Sequence, residues 1–284
     1  MVAGTRPGGR TTEGRHPPML DTRYTHGSPC WIDLGSPDTT AAAEFYAAVL
    51  GWEYRSAGPE GGGYGFFQQD GATVAALGPL TEDGARSAWT VYFRTTDAET
   101  TQMVAAAEGG RIRVRAMDVM DAGRMAALTD PAGAEFAVWQ QGSVKGLDRT
   151  SSTNTLVWVE LHTPDPEAAL DFYRSLFEWR WAEMAAPGMT YRVISTADGD
   201  QQDASFGGAA ELRDSAERSR WIPYFAVEDA DATAGAVTAS GGTVLLPPAD
   251  IPDVGRLAWF ADPSGAEFAV LTPAPTADRP TGPA

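Results

Sequence analysis

Apolar residues recur along this chain at two spacings, one typical of strands and one of helices. Cys30–Leu34 alternates as a short strand, and Ala42, Phe45, Tyr46 and Val49 then follow at helical spacing behind a capping Asp38. The succession returns at Val157–Leu161 with Ala169, Phe172, Tyr173 and Leu176, where Asp165 is the cap and Pro166 opens the helix. A second strand, Trp89–Arg94, runs into a helix capped by Asp97 and closed near Gly109; Trp221–Val227, Asp229 and Gly241 repeat it. The DPAG and DPSG tetrapeptides, starting at Asp130 and Asp262, suit type I turns with Pro at the second position and Gly at the fourth. They join Arg124–Leu128 to Glu135–Trp139 and Arg256–Phe260 to Glu267–Leu271.

The chain is therefore a duplication. Trp31 to Trp52 and Trp158 to Trp179 agree at nine of 22 positions, 127 residues apart. TDPAGAEFAV and ADPSGAEFAV agree at eight of ten, 132 residues apart, so the second copy carries five extra residues, expected around Asp198–Asp203. Repeats of this length are whole domains rather than solenoid units. The reading is an α+β protein of two tandem modules, each a pair of βαβββ halves, at residues 27–145 and 153–273, joined by a linker at 146–152. Residues 1–26 and 274–284, rich in Gly, Pro and Thr, are expected to be disordered tails, and Met19 competes with Met1 as the translation start.

Composition narrows the partners. A formal charge of −17 disfavours nucleic acid and anionic membranes. No apolar run is long enough for a membrane span, and no secretory leader is evident. One cysteine excludes an internal disulfide and fits the cytoplasm, and three histidines cannot build a His-rich zinc site.

A short strand, a capped helix with FY near its middle and a late DPxG hairpin, found twice, resemble the vicinal oxygen chelate superfamily (the glyoxalase/bleomycin-resistance/dioxygenase fold). The WxxL, PD, AA, FY start and the DPxGAEFAV end resemble its tandem-module actinobacterial branch, some of whose members accompany aromatic polyketide pathways. The resemblance implies that each module is a cupped mixed sheet with helices on the convex face. It also implies metal ligands fourteen residues before the helix Phe, six before the next capping Asp, and seven after the Asp of DPxG. Those positions hold Trp31, Val91 and Ala137 in the first module and Trp158, Pro223 and Ala269 in the second. None offers a carboxylate, imidazole or thiolate, so no metal and no other cofactor is expected.

Strand alternation sends Ile32 and Leu34, and Val157, Val159 and Leu161, under the helices. It leaves Trp31, Asp33, Gly35, Trp158, Glu160 and His162 in the cups. The same reading puts Trp89, Val91, Phe93, Trp221, Pro223 and Phe225 on the concave faces, with Glu135, Ala137, Trp139, Glu267, Ala269 and Leu271. Trp52 and Trp179 are expected in the core. Cys30 is expected on the helix side, and Tyr64 and Phe66, beyond a Gly-rich turn at Gly58–Gly65, could reach a ligand. The expected function is metal-free binding of a flat, largely apolar molecule, such as an aromatic polyketide antibiotic. It would serve self-resistance by sequestration or assist a tailoring oxygenase, in a monomer or homodimer. The alternative is an enzyme, glyoxalase-like or a cofactor-free lyase or isomerase using Asp33, Glu160 and His162.

Overall fold

The computed structural model describes residues 20–186, 189–199, 204–214 and 217–274. The first module runs β1 (Pro29–Ser36), α1 (Thr39–Leu50), β2 (Glu53–Ser56), β3 (Gly65–Gln69), β4 (Ala72–Pro79), β5 (Ala88–Arg94), α2 (Ala98–Ala107), β6 (Arg111–Val119), β7 (Gly123–Thr129) and β8 (Glu135–Gln141). The second repeats it as β9 (Leu156–Thr163), α3 (Pro166–Phe177), β10 (Arg180–Ala186), β11 (Met189–Ser195), β12 (Ser205–Glu211), β13 (Arg220–Ala226), α4 (Ala230–Ala239), β14 (Thr243–Ile251), β15 (Gly255–Ala261) and β16 (Glu267–Pro273). Asp38, Asp97, Asp165 and Asp229 each cap a helix by accepting backbone N–H bonds. Each module forms one eight-stranded mixed sheet, ordered β2-β3-β4-β1-β5-β8-β7-β6 in the first and β10-β11-β12-β9-β13-β16-β15-β14 in the second. The α+β architecture of two tandem modules is the one expected. Among the described residues no helix is long and apolar enough to cross a membrane.

Register decides which side chains share a face. In the antiparallel pair β1–β5, Leu34 stands opposite Trp89 and Ile32 opposite Val91. Directly paired residues project to the same side of a sheet. Trp89, Val91 and Phe93 therefore lie in the helix-side core with Ile32 and Leu34, not in the cup. The second module behaves alike: Trp221 pairs with Leu161 and Pro223 with Val159, and Phe225 joins the same core. The cup instead receives their strand neighbours, Tyr92 and Tyr224. Cys30 also departs from expectation, because the chain is bulged between Pro29 and Trp31 and the thiol packs with Tyr92, Ala137 and Trp139.

The helix sides of both sheets merge into one core, with α1 packed on α4 and α2 on α3. Aromatic residues cross between modules reciprocally. The ring of Phe93 lies 4.9 Å from Trp179 and 5.1 Å from Trp221, and Phe225 lies 5.1 Å from Trp52 and 5.6 Å from Trp89. Polar bonds repeat the exchange. Trp221 Nε1 donates to the Tyr173 hydroxyl, which donates to Asp130 of the other module's DPAG turn. Trp89 Nε1 donates to Tyr46, which faces Asp262 of the DPSG turn. Trp179 Nε1 donates to the Gly27 carbonyl and Trp52 Nε1 to the Asn154 carbonyl. Trp52 and Trp179 are core residues, as expected.

The segment before β1 is placed from Leu20 onward, although residues 20–26 fall within the tail expected to be disordered. Leu20 is buried, the Tyr24 hydroxyl donates to the Leu147 carbonyl, and His26 meets the Leu176 carbonyl. The remaining tail residues, 1–19 and 275–284, lie outside the described residues, as do residues 200–203 of the expected insertion.

Gly27 offers a direct test of the crossing contacts. It has φ +79°, and a Cβ there would stand 2.6 Å from Trp179 Nε1; Gly71 shares that φ but has open space around it. Gly71→Ala should cost about 1–2 kcal/mol from backbone strain alone. Gly27→Ala adds a clash and should cost about 2–3 kcal/mol more, read as a lower urea midpoint at unchanged m. Equal losses in the two variants would show that the Trp179 contact carries no stability.

Candidate functional site

Each concave face carries the same chain of hydrogen bonds. In the first cup, Trp31 Nε1 donates to the Tyr64 hydroxyl (3.1 Å), and Tyr64 donates to Asp33 Oδ2 (3.2 Å). Tyr92 donates to the same oxygen at 2.8 Å. In the second, Trp158 Nε1 donates to Tyr191 (2.9 Å) and Tyr191 to Glu160 Oε2 (2.6 Å), while Tyr224 faces the same carboxylate. The two tyrosine pairs occupy equivalent places: Tyr64 and Tyr191 differ by the early repeat offset, Tyr92 and Tyr224 by the late one. The repeat could thus have flagged all four, but only Tyr64 was singled out from the sequence.

The carboxylates are nevertheless tuned in opposite directions. Burial pushes Asp33 up to about 6, although both tyrosine hydroxyls pull it down. Both hydroxyls converge on Oδ2, so Oδ1 has no protein partner among the described residues. Burial would also raise Glu160, but the His162 ring, Tyr191 and Tyr224 together outweigh it and hold the group below the ordinary carboxylate range. His162 Nε2 lies 2.6 Å from Glu160 Oε1, so both carboxylate oxygens are engaged. The four tyrosine hydroxyls are raised well above their usual value, chiefly by burial, and remain donors.

Two substitutions between the modules set how much room each cup has. His162 stands where the first module has Gly35, and Trp259 stands where it has Ala127. These large side chains meet edge to face at 4.7 Å, and the Arg213 guanidinium lies 4.3 Å over the Trp259 ring. Trp259 Nε1 donates to Tyr224. The second cup is filled: Glu160, His162, Tyr224 and Trp259 are all buried. In the first cup Trp31, Asp33, Gly35, Tyr64 and Phe66 are only half-buried, around a floor of Ala137 and a wall of Trp139. Phe66 stands edge-on to Trp31 at 6.1 Å.

Of the residues singled out from sequence, Trp31, Asp33 and Trp139 meet in the first cup and Trp158, Glu160 and His162 in the second. Trp89, Val91, Phe93, Trp221 and Phe225 belong to the core between modules. The cups open away from that core, so Asp33 cannot act together with Glu160 and His162. Arg124 and Arg256 reach neither carboxylate; they pair with Glu99 and Asp118, and with Asp231 and Asp250.

The residues present do not fit the divalent cation that the fold family implies. Trp31, Ala137, Trp158 and Ala269 have no metal-binding atom, Val91 lies in the core, and Pro223 stands opposite the core residue Val159, on the same face. Among the described residues no three His, Cys, Asp or Glu side chains cluster to hold a metal.

The chain is 39% identical over 260 residues to CFP32 of Mycobacterium tuberculosis, covering 89% of this chain and 98% of that protein. It is 39% identical over 266 residues to the anthracycline biosynthesis protein DnrV of Streptomyces peucetius, covering 88% and 94%. The 2,3-dioxygenase LapB from Pseudomonas sp. KL28 shares the fold at a TM-score of 0.60 and 14% identity, over 89% of this chain and 96% of that one. The pattern of the Glyoxalase/Bleomycin resistance protein/Dioxygenase superfamily matches residues 30–138 and 155–270, and the chain belongs to that superfamily.

Proposed function

We propose that the first cup binds a flat aromatic molecule without a metal, and that the second cup is a filled structural counterpart. The observation that carries this reading is the contrast between the two carboxylates. Glu160 has both oxygens engaged, whereas Asp33 Oδ1 has no partner among the described residues, in a half-open cup lined by Trp31, Phe66, Tyr92 and Trp139. A ring system would stack on or against those aromatic faces, and a hydroxyl or ammonium on the ligand would donate to Oδ1. The name of the relative DnrV, an anthracycline biosynthesis protein, supports an anthracycline-type aromatic polyketide as the class. Such a binder would sequester a toxic product or present an intermediate to a tailoring oxygenase, in the cytoplasm.

A second reading, cofactor-free proton transfer, is favoured by Asp33 alone, whose raised pKa suits a general acid or base near neutrality. It differs from the first in requiring turnover.

Tryptophan-fluorescence titration with aromatic polyketides in EDTA should show one saturable site per chain. Trp31→Ala should weaken binding by about 1–3 kcal/mol, and Asp33→Asn by about tenfold, the loss of one charge-assisted hydrogen bond. Substrate consumption by the wild type that Asp33→Asn abolishes would establish the second reading instead. Gly35→His, which copies the second module, should abolish binding while leaving the protein folded; retained affinity would move the ligand out of the first cup.

Stability should also report on Asp33. Its folded-state pKa of about 6 exceeds the ordinary 3.8, so the folded protein binds the extra proton. The associated stabilisation is complete below about pH 4 and is lost as pH rises through about 6. Asp33→Asn should therefore match the wild type near pH 4 and exceed it by about 1–2 kcal/mol at pH 7.5, less than the full shift implies because the cup is partly hydrated. Parallel urea-stability curves across that range would show that Asp33 ionises normally.

A further inference from the structure

Strand β5 ends in a charge that its repeat lacks. Arg94 follows Tyr92 by two residues, so the two side chains project to the same face. In the parallel pair β5–β8, Tyr92 stands opposite Ala137 and Arg94 opposite Trp139, which puts Arg94 on the concave side of the first sheet. The Cys30 thiol, packed among Tyr92, Ala137 and Trp139, lies close enough to feel its charge. The late repeat offset equates Arg94 with Ala226, which belongs to the buried cluster of Tyr224, Trp259 and Ala269 in the second cup. The fold therefore does not need a guanidinium at this position.

Nor does the protein provide well for one. Arg94 is half-buried; Nη1 donates to the Thr95 carbonyl, and Nε is buried without a partner. Nη2 is not buried and has no partner among the described residues. No carboxylate among them acts on Arg94, although the chain has 38 acidic and 21 basic residues. A charge drawn partly out of water without a counter-charge costs free energy that a bound anion returns.

We propose that Arg94 pairs with a carboxylate on the ligand of the first cup, whose ligand is thus an aromatic acid with a hydroxyl or ammonium group turned to Asp33. This inference rests on the first cup being the binding site. Spacing sets the size of the molecule. Asp33 is paired with Thr90, and Arg94 lies four residues further along β5, about 13 Å at the rise of a strand. A ligand that meets both needs several fused rings. Trp31, paired with Tyr92, and Trp139, paired with Arg94, lie along that line and offer their rings to its faces.

Calorimetric titration of the full chain with a hydroxyanthraquinone carboxylate, and separately with the same compound as its carboxamide, tests this. The acid should bind at one site per chain and about tenfold or more tightly than the amide, as a charge-assisted pair requires. A chain of net charge −17 repels anions at long range, so a preference for the acid has to come from a local cation. Arg94→Ala, which copies the second module, should remove the preference and leave amide affinity unchanged; Arg94→Lys should restore part of it. Equal affinity of the wild type for both probes, or a preference that survives Arg94→Ala, would overturn the proposal. Loss of amide binding in Arg94→Ala would do the same, by marking the side chain as structural. Amide binding by the wild type that weakens in Trp31→Ala would still leave the first cup as the site, whereas no binding of either probe removes both readings together.

Discussion

The exchange of aromatic side chains between the modules is the constraint on which the rest of this structure rests. Phe93 fills a nest built by Trp179 and Trp221, and Phe225 fills the equivalent nest of Trp52 and Trp89. Neither nest is complete within its own module, so the two sheets share one core. Their helices are thereby held between the sheets and both concave faces are turned outward. The repeated sequence signatures are mostly the parts of this clamp: the helix Tyr, the strand Trp and the Asp of the turn form relays from one module into the other.

That origin explains what the sequence revealed and what it concealed. Repeated motifs, caps and turns made the duplication and the α+β architecture legible, because each is a local requirement of backbone geometry. Alternation also marked Trp89–Phe93 and Trp221–Phe225 correctly as strands. It could not say which face was which, because both faces of these strands are buried: Trp89, Val91 and Phe93 on one side, Tyr92 on the other. Only the pairing of Leu34 with Trp89 fixes the choice, and pairing is a long-range property. The error moved large aromatics into the cup and hid the tyrosines that bind the carboxylates. Asp33 and Glu160 were visible because a polar residue alternating with core residues must face somewhere else. Their opposite tuning was not, since it depends on how many oxygens find partners across strands distant in sequence.

The two cups show how little is needed to separate an open concave face from a packed one. Both keep a Trp, two Tyr and a carboxylate. Replacing glycine by histidine beside the carboxylate engages its second oxygen, and replacing alanine by tryptophan opposite fills the volume above it. Desolvation then works against Asp33, whereas in the other cup the same desolvation is offset by a histidine contact. Geometry that looks duplicated in outline is therefore chemically unequal.

The short linker between the modules gives that inequality its wider meaning. A two-fold homodimer must repeat each substitution on both sides of its axis, so a residue that closes one cavity closes both. Covalent fusion removes this obligation. Within a single chain, one half can be filled and hold the aromatic clamp together, while the other keeps small residues and a carboxylate oxygen without a partner among the described residues. The filled module is in this sense the scaffold that lets its twin stay open.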